Sequence, residues 1–217
     1  MQEGSYYFKF NDINLFFKKG EFVTIVGSDN DNIVSFLMHD NEIVSYKSLK
    51  GFKTETVKEE LLQLIDENGI TRYLNDIDLE NKNIDLLNIS EKIKLKILIG
   101  ILKKETIIID NLLSLLSNSD YKLIMKLLNN YIQQEGIVLN ITHNIEESIY
   151  GNRLVVIYNN QLLCNDYTLI ALRQEKLLKR LGIGLPFIVE LNKYLMDYGL
   201  INKYYLNPND LVSELWK

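Results

Sequence analysis

Two short apolar runs near the middle of the chain have the pattern of buried strands, and each ends in polar residues. The run 106–109 is β-branched and stops at Asp110, and the run 137–141 stops just before His143. Between them, apolar positions recur at helical spacing, with Asp120 as the predicted cap and Glu135-Gly136 as the predicted end. Because ligands bind at the carboxyl ends of strands in such βαβ units, we expect Asp110 and His143 at one ligand-binding edge. The helical apolar positions are Leu123, Ile124, Leu127, Leu128 and Ile132.

Each of the two polar residues also has a plain structural alternative. Asp110 could cap the turn that follows its strand, and His143 could be an ordinary loop residue. Their shared position at the ends of two strands favours a functional pair, but the pattern leaves both alternatives open.

The N-terminal part of the chain predicts three strands, a polar loop and a helix. The runs 6–10, 13–17 and 21–26 are strand-like, and Gly27 follows the third run at once. The helix behind the loop is expected to have Asp31 or Asn32 as its cap. Strand, polar loop and helix is the setting of a phosphate-binding loop. Such a loop needs glycines for inward-facing N–H groups, a lysine for the terminal phosphates and a hydroxyl for Mg²⁺.

The residues that a phosphate loop requires are largely replaced. Against the pattern Gly-x-x-x-x-Gly-Lys-Ser/Thr, Gly27 matches, whereas Asn32 stands at the second glycine. Ile33 supplies no charge at the lysine position, and Val34 supplies no metal ligand at the hydroxyl position. Asp29 and Asp31 add negative charge where a triphosphate needs positive charge. The candidate nucleotide-binding positions of this degenerate loop are Gly27, Ser28, Asn30, Asn32, Ile33, Val34 and Ser35.

The segment 42–104 predicts a short strand and two helices. The strand covers 42–46, and an amphipathic helix covers 54–68, with Leu62 on its apolar face and Gly69 as its stop. Asn88 followed by Glu91 resembles a capping box. The stretch 93–102 begins with the alternation of a strand, but the cap favours a helix.

The C-terminal third predicts a hairpin and a helical tail. The segment 144–150 is predicted as a short acidic helix, and Asn159-Asn160 as a hairpin turn. Helices are predicted over 168–181, 187–198 and 210–216, the last capped by Asn209. Four tail residues have a spacing that suits burial, either against a second surface or within the chain. They are Phe187, Leu191, Leu195 and Trp216.

Composition narrows the class of protein. The 217 residues, 47% of them apolar, suit one large domain or a domain with an appendage. A net charge of −5 argues against nucleic acid as a partner. One cysteine, Cys164, excludes an internal disulfide and is expected to pack as a small apolar residue, and two histidines make a His-based metal site a weak hypothesis. With no bilayer-length apolar run and no signal segment, we expect a cytosolic chain.

The order of these elements resembles an ATP-binding cassette ATPase over nearly the whole chain. The segment 141–148, which contains Thr142-His143-Asn144, is similar to the family's histidine switch, and 107–110 to its Walker B strand. The tail from Gly182 to Phe187 is similar to the C-terminal extension of energy-coupling factor transporter ATPases. The resemblance implies an α/β, P-loop NTPase-like fold. It divides the chain into a cassette domain over 1–166, with a reduced helical subdomain at about 54–104, and a helical extension over 167–217.

Residue by residue, the family's catalytic set carries over incompletely. Asp110 matches the magnesium-associated aspartate and His143 the switch histidine, whereas Asn111 stands at the catalytic glutamate. The segment 114–117 occupies the D-loop position without its aspartate, and no glutamine near Tyr46 matches the Q-loop. The signature-like residues, in which both glycines are replaced, are Asn88, Ile89, Ser90 and Glu91.

The resemblance implies ATP and Mg²⁺ as cofactors, with no cofactor as the alternative. It also implies two partners, an intact cassette that forms a heterodimer with this chain and a transmembrane coupling subunit. The expected location is therefore the inner face of the cell membrane. The expected function is that of a degenerate ATP-binding subunit of an energy-coupling factor-type vitamin or micronutrient importer, with lost or impaired hydrolysis. Two alternatives stay open: a residual ATPase completed by its partner, and a non-enzymatic assembly or regulatory module.

Overall fold

The computed structural model describes residues 5–10, 12–37, 43–45, 47–65, 79, 82–104 and 106–216. A six-stranded sheet with the order β4-β5-β6-β3-β7-β8 lies beside a two-stranded antiparallel hairpin, β1-β2. All neighbours in the larger sheet are parallel except β7 and β8. The expected α/β class is confirmed. The strands are β1 (Ser5–Phe10), β2 (Ile13–Lys18), β3 (Phe22–Gly27), β4 (Ile43–Val44), β5 (Ile107–Asp110), β6 (Val138–Ile141), β7 (Arg153–Tyr158) and β8 (Gln161–Tyr167).

The strand order brings three carboxyl ends to one edge of the sheet. The central strand β3 lies between β6 and β7, and β5 lies on the far side of β6. Strands β3, β5 and β6 are buried on both faces, which explains their mostly apolar sequences. Thr24 in β3 and Asn140 in β6 are buried polar exceptions. Gly27, Asp110 and the segment after Ile141 therefore meet where ligands bind in parallel sheets.

Helices cover both faces of the sheet and form the C-terminal part of the chain. Asn88 and Glu91 form the predicted capping box of α3, and Asn159 and Asn160 have the predicted positive φ angles of 50° and 59°. The α-helices are α1 (Asn30–Leu37), α2 (Val57–Leu62), α3 (Ile89–Lys103), α4 (Asn118–Gln133), α5 (Thr168–Leu172), α6 (Glu175–Arg180), α7 (Phe187–Asp197) and α8 (Pro208–Leu215). Short 3₁₀ helices cover Ser48–Lys50, Ile84–Leu86, Leu113–Leu115 and Ile145–Tyr150. Among the residues described, none of the helices is long and apolar enough to cross a membrane.

Three predicted helix starts are wrong. Helix α1 already begins at Asn30, so Asp31 and Asn32 lie inside it and are not its cap. Ser117 caps α4, because the carboxylate of Asp120 is already engaged by side chains of α3. Asn207 caps α8, which places Pro208 at the first helical position, where its missing N–H costs nothing.

Two predicted helices differ in extent. Helix α2 starts at Val57, because Thr56 supplies a full capping box, and Leu62 at its end is 40% exposed although it was expected on the apolar face. The predicted helix 168–181 is two helices, because Gln174 leaves the helical region with ψ of 46°. The predicted ends of the strand 42–46, the part of the helix 54–68 beyond 65, Gly69 and Tyr46 lie outside the described residues.

Three apolar cores hold these layers. One lies between the sheet and helices α2 to α4, and a second joins the sheet, the β1-β2 hairpin and α1. In the third core the tail packs on β7 and β8, with Leu178, Ile188 and Leu211 at its centre. Cys164 is buried in this third core, as expected.

Candidate functional site

The loop after β3 is tightly bound to the neighbouring strand β7. Gly27 has φ of +148°, and a Cβ atom on it would lie 1.6 Å from the carbonyl oxygen of Ile157. The amide of Ser28 donates to that same carbonyl at 3.2 Å. Only glycine allows the backbone at position 27 to lie this close to the Ile157 carbonyl, so the packing of the loop alone explains why Gly27 is present.

The polar side chains of the loop are engaged by the β7-β8 turn. The hydroxyl of Ser28 accepts a 2.9 Å hydrogen bond from the amide of Asn159 and donates to Asp29. The Asp29 carboxylate accepts a 3.0 Å bond from the amide of Asn160. Helix α1 follows at once, with the amide of Ile33 donating to the carbonyl of Asp29. The side chains of Ser28 and Asp29 are therefore already engaged within the chain.

The positions of the missing lysine and hydroxyl point into the protein. Ile33 is fully buried and Val34 is 6% exposed, and both belong to the second core. Helix α1 starts at Asn30, two or three residues earlier than the sequence predicts, and both side chains pack between the β1-β2 hairpin and the sheet. Asn32 is exposed, and the side chain of Ser35 lies outside the described part of the chain.

Asn30 connects the loop to the histidine segment. Its side chain is 3% exposed, and its Nδ2 atom donates to the carbonyl of Thr142 at 2.9 Å and lies 3.5 Å from Nδ1 of His143. The sequence marks Asn30 only as a loop position. A single buried asparagine in a polar loop gives no signal in the sequence, because its partners lie more than a hundred residues away.

The structure brings Asp110, Asn111 and His143 together, as the sequence predicts. The amide of Asn111 donates to Ile141 at 2.8 Å, and its Oδ1 atom lies 3.4 Å from both the Thr142 hydroxyl and the His143 amide. Asn111 has φ of +51°, which asparagine tolerates better than most residues. A neutral side-chain amide cannot act as a general base at this position.

Asp110 is the candidate magnesium ligand. It is half-buried, and burial together with the charge of Asp31 raises its pKa, which His143 partly opposes. Within the described ranges, no group of three or more His, Cys, Asp or Glu side chains could hold a metal ion. A cation here would therefore rest on Asp110, its neighbour Asp31 and oxygens from outside the side-chain cluster, such as those of a nucleotide.

The signature-like helix end is closed by its own side chains. Asn88 Oδ1 accepts from the amide of Glu91 at 3.0 Å, and Glu91 Oε2 accepts from the amide of Asn88 at 2.9 Å. Burial raises the pKa of Glu91, but hydrogen bonds from Lys82 and Asn88 outweigh it and hold the pKa low. The charged Glu91 carboxylate thus occupies a helix N-terminus that would otherwise attract phosphate.

Ser90 and the first turns of α3 and α4 are joined by a polar contact that the sequence does not predict. The Ser90 hydroxyl donates to Asp120 at 2.6 Å, and Lys94 Nζ donates to the other carboxylate oxygen at 2.7 Å. Ile89, in contrast, is 44% exposed beside them. Of the signature-like positions, Ser90 is therefore engaged within the chain.

Comparison with known proteins identifies the type of fold. No protein-family model matches the chain. The energy-coupling factor transporter ATP-binding protein EcfA1 of Geobacillus kaustophilus is 29% identical over 117 residues, 53% of this chain and 42% of the relative. EcfA1 of Clostridioides difficile is 26% identical over 160 residues, 72% of this chain and 57% of the relative. EcfA1 of Mycoplasma mobile is 25% identical over 182 residues, 83% of this chain and 64% of the relative.

Solved structures agree on the fold. cbiO1 of Clostridium perfringens, part of the ABC transporter complex cbiONQ, has a TM-score of 0.57 at 17% identity, over 86% of this chain and 96% of that chain. A chain of an inward-facing metal-chelate-type ABC transporter has a TM-score of 0.61 at 13% identity, over 84% of this chain and 89% of that chain. This chain is most similar to ATP-binding cassette ATPases of the energy-coupling factor type.

The similarity covers only part of the length of the relatives. The matched segments cover 42% to 64% of the length of the three relatives compared above. The expected cassette fold is confirmed, whereas the roles of Gly27, Asp110, Asn111 and His143 in binding or catalysis remain predictions. Among the cassette positions that the structure describes, Ser28 and Ser90 form hydrogen bonds within the chain and Ile33 is buried, whereas Asn32 and Ile89 are exposed.

Proposed function

We propose that this chain is a degenerate ATP-binding cassette subunit of an energy-coupling factor-type importer, and that its own phosphate loop neither binds nor hydrolyses ATP. In this proposal it works beside an intact cassette and a transmembrane coupling subunit at the inner face of the membrane. The similarity to EcfA1 proteins over 53% to 83% of this chain supports the transporter class.

The observation that carries the loss of activity is the burial of Ile33. The residue at the lysine position is fully buried in the core between the sheet and the β1-β2 hairpin. A phosphate loop needs a positive side chain that reaches the terminal phosphates and free N–H groups that surround them. In this chain the helix starts too early for either, and the hairpin turn engages Ser28 and Asp29.

The negative charge of the site also argues against binding of ATP. Burial and the neighbouring charge of Asp31 raise the pKa of Asp110, and the phosphates of ATP would meet these two carboxylates. Asn111 replaces the catalytic glutamate and lies in contact with the histidine segment. Loss of one preorganised charge-stabilising group costs about 10² to 10³ in rate, and several are missing here.

One observation favours a second candidate, the non-enzymatic assembly or regulatory module. If a partner cassette supplied an intact phosphate loop, this chain would have to offer its signature-like helix end to the partner's nucleotide. That end is capped by Asn88 and carries the charged Glu91. It therefore favours a module without nucleotide over a residual ATPase completed by a partner.

Nucleotide binding by the purified chain tests the proposal. We expect no saturable Mg-ATP binding in equilibrium dialysis up to millimolar concentration, and phosphate release at background. Steady turnover that disappears in Asp110→Ala would refute the proposal. Adding an intact cassette separates the alternatives. A residual ATPase predicts that Glu91→Gln, which removes the charge from the helix end, changes turnover of the mixed complex, whereas a non-enzymatic module predicts no change.

A further inference from the structure

A groove of about 760 Å³ runs along one face of α4. Its other wall is formed by the end of the 3₁₀ helix Ile145–Tyr150 and by the segment that leads into α8. A narrower pocket of about 290 Å³ continues the groove, because Tyr121 and Tyr150 line both. The α4 residues that line the two lie between Asn118 and Asn130, so the combined groove follows the helix for about 18 Å.

Apolar and amide side chains line the wide part of this groove. Met125 is almost buried, and the ring of Tyr121 packs edge-to-face on that of Tyr150, with centroids 5.3 Å apart. Because Tyr150 is 43% exposed, the groove is open, whereas sites for small molecules usually enclose most of their ligand. An open groove of this length fits a segment of another protein better than a small molecule. The remaining apolar and amide residues of the wide part are Ile149, Leu206, Pro208, Asn129, Asn130, Asn207 and Asn209.

Two lysines on α4 give the wide part of the groove a positive charge. Lys122 and Lys126 both line it, are exposed and lie one helical turn apart. Neither lysine forms an ion pair or a hydrogen bond with another residue that the structure describes. In a chain with a net charge of −5, these two lysines form a local positive patch that attracts carboxylates.

The carboxylates around the groove do not neutralise this patch. Asp120 is engaged by side chains of α3. Glu146 accepts a 2.7 Å hydrogen bond from the first amide of α7, and Glu147 is buried and accepts a 2.8 Å bond from Asn140. Asp210 lies in the first turn of α8 but does not line the groove. The two lysines therefore keep their charge available to a ligand.

We infer that this groove binds an acidic amphipathic helix of a partner protein. The carboxylates of that helix pair with Lys122 and Lys126, and its apolar face packs on Met125 and the two tyrosines. A groove of about 18 Å matches about three turns of a helix, and carboxylates four residues apart on the partner have the spacing of the two lysines. The inference goes beyond the proposed function and does not rest on it, because none of the candidate nucleotide-site residues lines the groove.

Fluorescence anisotropy with a labelled model peptide tests the inference. The probe is an amphipathic peptide of about four helical turns, with leucines on one face and glutamates on the other. The matched neutral probe has glutamine in place of each glutamate. At low salt we expect the full chain to bind the acidic peptide at least tenfold more tightly than the neutral one, and added salt should reduce the difference. Equal binding of the two peptides, or no binding of either, would overturn the inference.

Variants locate the binding. Lys122→Glu combined with Lys126→Glu reverses the charge of the groove at two exposed positions, and it should weaken binding of the acidic peptide at least tenfold. Tyr150→Ala removes part of the apolar surface and should weaken binding of both peptides several-fold. The control combines Lys176→Glu with Arg180→Glu, an exposed basic pair with the same spacing on α6 that does not line the groove. An equal loss in the control would mean that net charge attracts the peptide, and would overturn the inference.

Other occupants of the groove would give different results, each of which would overturn the inference. Glutarate, a free dicarboxylate, would bind as tightly as the acidic peptide if the groove were a site for small anions. If a second copy of this chain were the occupant, the chain would self-associate in sedimentation, and Lys122→Glu with Lys126→Glu would abolish that association. If the surface were a membrane contact, phosphatidylglycerol vesicles would bind through the same lysines and the acidic peptide would not.

Discussion

The side-chain amide of Asn30 donates a 2.9 Å hydrogen bond to the carbonyl of Thr142, which joins the first turn of α1 to the segment that carries His143. On its other side, the same loop is joined to the β7-β8 turn through Ser28 and Asp29. Hydrogen bonds to two different segments therefore hold this loop from both sides. If the proposed function is correct, the path of the backbone as well as the missing lysine prevents phosphate binding.

Restoring the two most obvious catalytic residues should therefore fail. Ile33→Lys combined with Asn111→Glu is expected to give no Mg-ATP turnover, because position 33 faces the core and not the nucleotide edge. Burying an unpaired ammonium group there should cost about 3 kcal/mol or more of unfolding free energy. Glutamate at the positive φ of Asn111 adds about 1 kcal/mol. Denaturant unfolding and phosphate release measure the two effects.

Asn32→Lys is the matched control for this repair. It adds the same charge one residue earlier in α1, at an exposed position, and should change unfolding free energy by no more than about 0.5 kcal/mol. A folded double variant with clear turnover would show that helix α1 can rotate or shorten to form a working loop. Equal destabilisation by Asn32→Lys and Ile33→Lys would contradict the burial argument.

Gly27 should be irreplaceable for folding, whatever its role with nucleotide. In Gly27→Ala the new methyl group would lie 1.6 Å from the Ile157 carbonyl oxygen, at a φ of +148° that other residues rarely adopt. We expect a loss above about 4 kcal/mol or no folded protein. Gly182→Ala is the comparison, because it has a positive φ of +73° but nothing within 4 Å. It should lose only about 1 kcal/mol, and similar losses at both positions would contradict the steric argument.

The sequence predicts much of the sheet and little of the connections between distant residues. Mostly apolar runs identify β5 and β6, because a strand buried on both faces has few polar positions. Asn140, which is fully buried in β6, is an exception. The capping box at Asn88 and Glu91 is equally local, and so is the Asn159-Asn160 turn. Asp120 looks like a cap for α4, but its carboxylate is engaged by Ser90 and Lys94 on another helix. That partnership depends on helix packing, which no local pattern encodes.

The candidate site also contains features that the sequence predicts and features that it does not. The edge that holds Asp110 and His143 follows from strand order, so the sequence predicts it correctly. Helix α1 starts early beside Ser28 and Asp29, which contact a turn 131 residues further along the chain. No local pattern encodes these contacts. The sequence therefore aligns Ile33 with the lysine position of a phosphate loop, whereas its side chain is buried in the core. Glu147 follows Glu146 in an acidic turn, and nothing local distinguishes the buried carboxylate from the exposed one.

The contact of Asp120 with Lys94 and Ser90 should be visible in the pH dependence of stability. Burial raises the pKa of Asp120, but hydrogen bonds from Lys94, Ser90 and Ser117 outweigh it, so its folded pKa lies below the ordinary value of 3.8. The charged carboxylate therefore stabilises the fold above about pH 4, and this contribution is lost as pH falls through the lower, folded pKa. Asp120→Asn should cost about 1 to 3 kcal/mol at pH 7.

Measuring the free energy of unfolding as a function of pH tests whether the stabilisation by Asp120 is lost at low pH, as predicted. The difference between wild type and Asp120→Asn should shrink below pH 4 as the wild-type carboxylate becomes protonated. Glu135→Gln is the control, since Glu135 forms an exposed 3.5 Å ion pair with Lys19 and should change stability by less than about 1 kcal/mol at any pH. A difference for Asp120→Asn that grows toward low pH would contradict the assignment.

We expect this chain to associate with an intact cassette and not with a second copy of itself. In a symmetric dimer of this chain each half would repeat the same closed loop and the same capped helix end, so a homodimer would gain no complete site. The tail divides into inward and outward residues: Leu191 and Leu195 pack in the chain's own third core, whereas Phe187 is 68% and Trp216 84% exposed. Val212 and Leu215, at 52% and 40%, extend the exposed surface of α8.

Light scattering of the chain mixed with a neighbouring intact cassette, with and without ATP, measures this association. We expect a mixed complex, and we expect Trp216→Ala to weaken it at least tenfold, because exposed tryptophans often carry much of the energy of an interface. Tyr167→Ala removes an aromatic residue that is 72% exposed at the end of β8 and should leave association unchanged. A stable homodimer formed by the chain alone, or no mixed complex under any nucleotide condition, would contradict the heterodimer. A mixed complex that Trp216→Ala and Tyr167→Ala weaken equally would instead mean that the tail is not the contact surface.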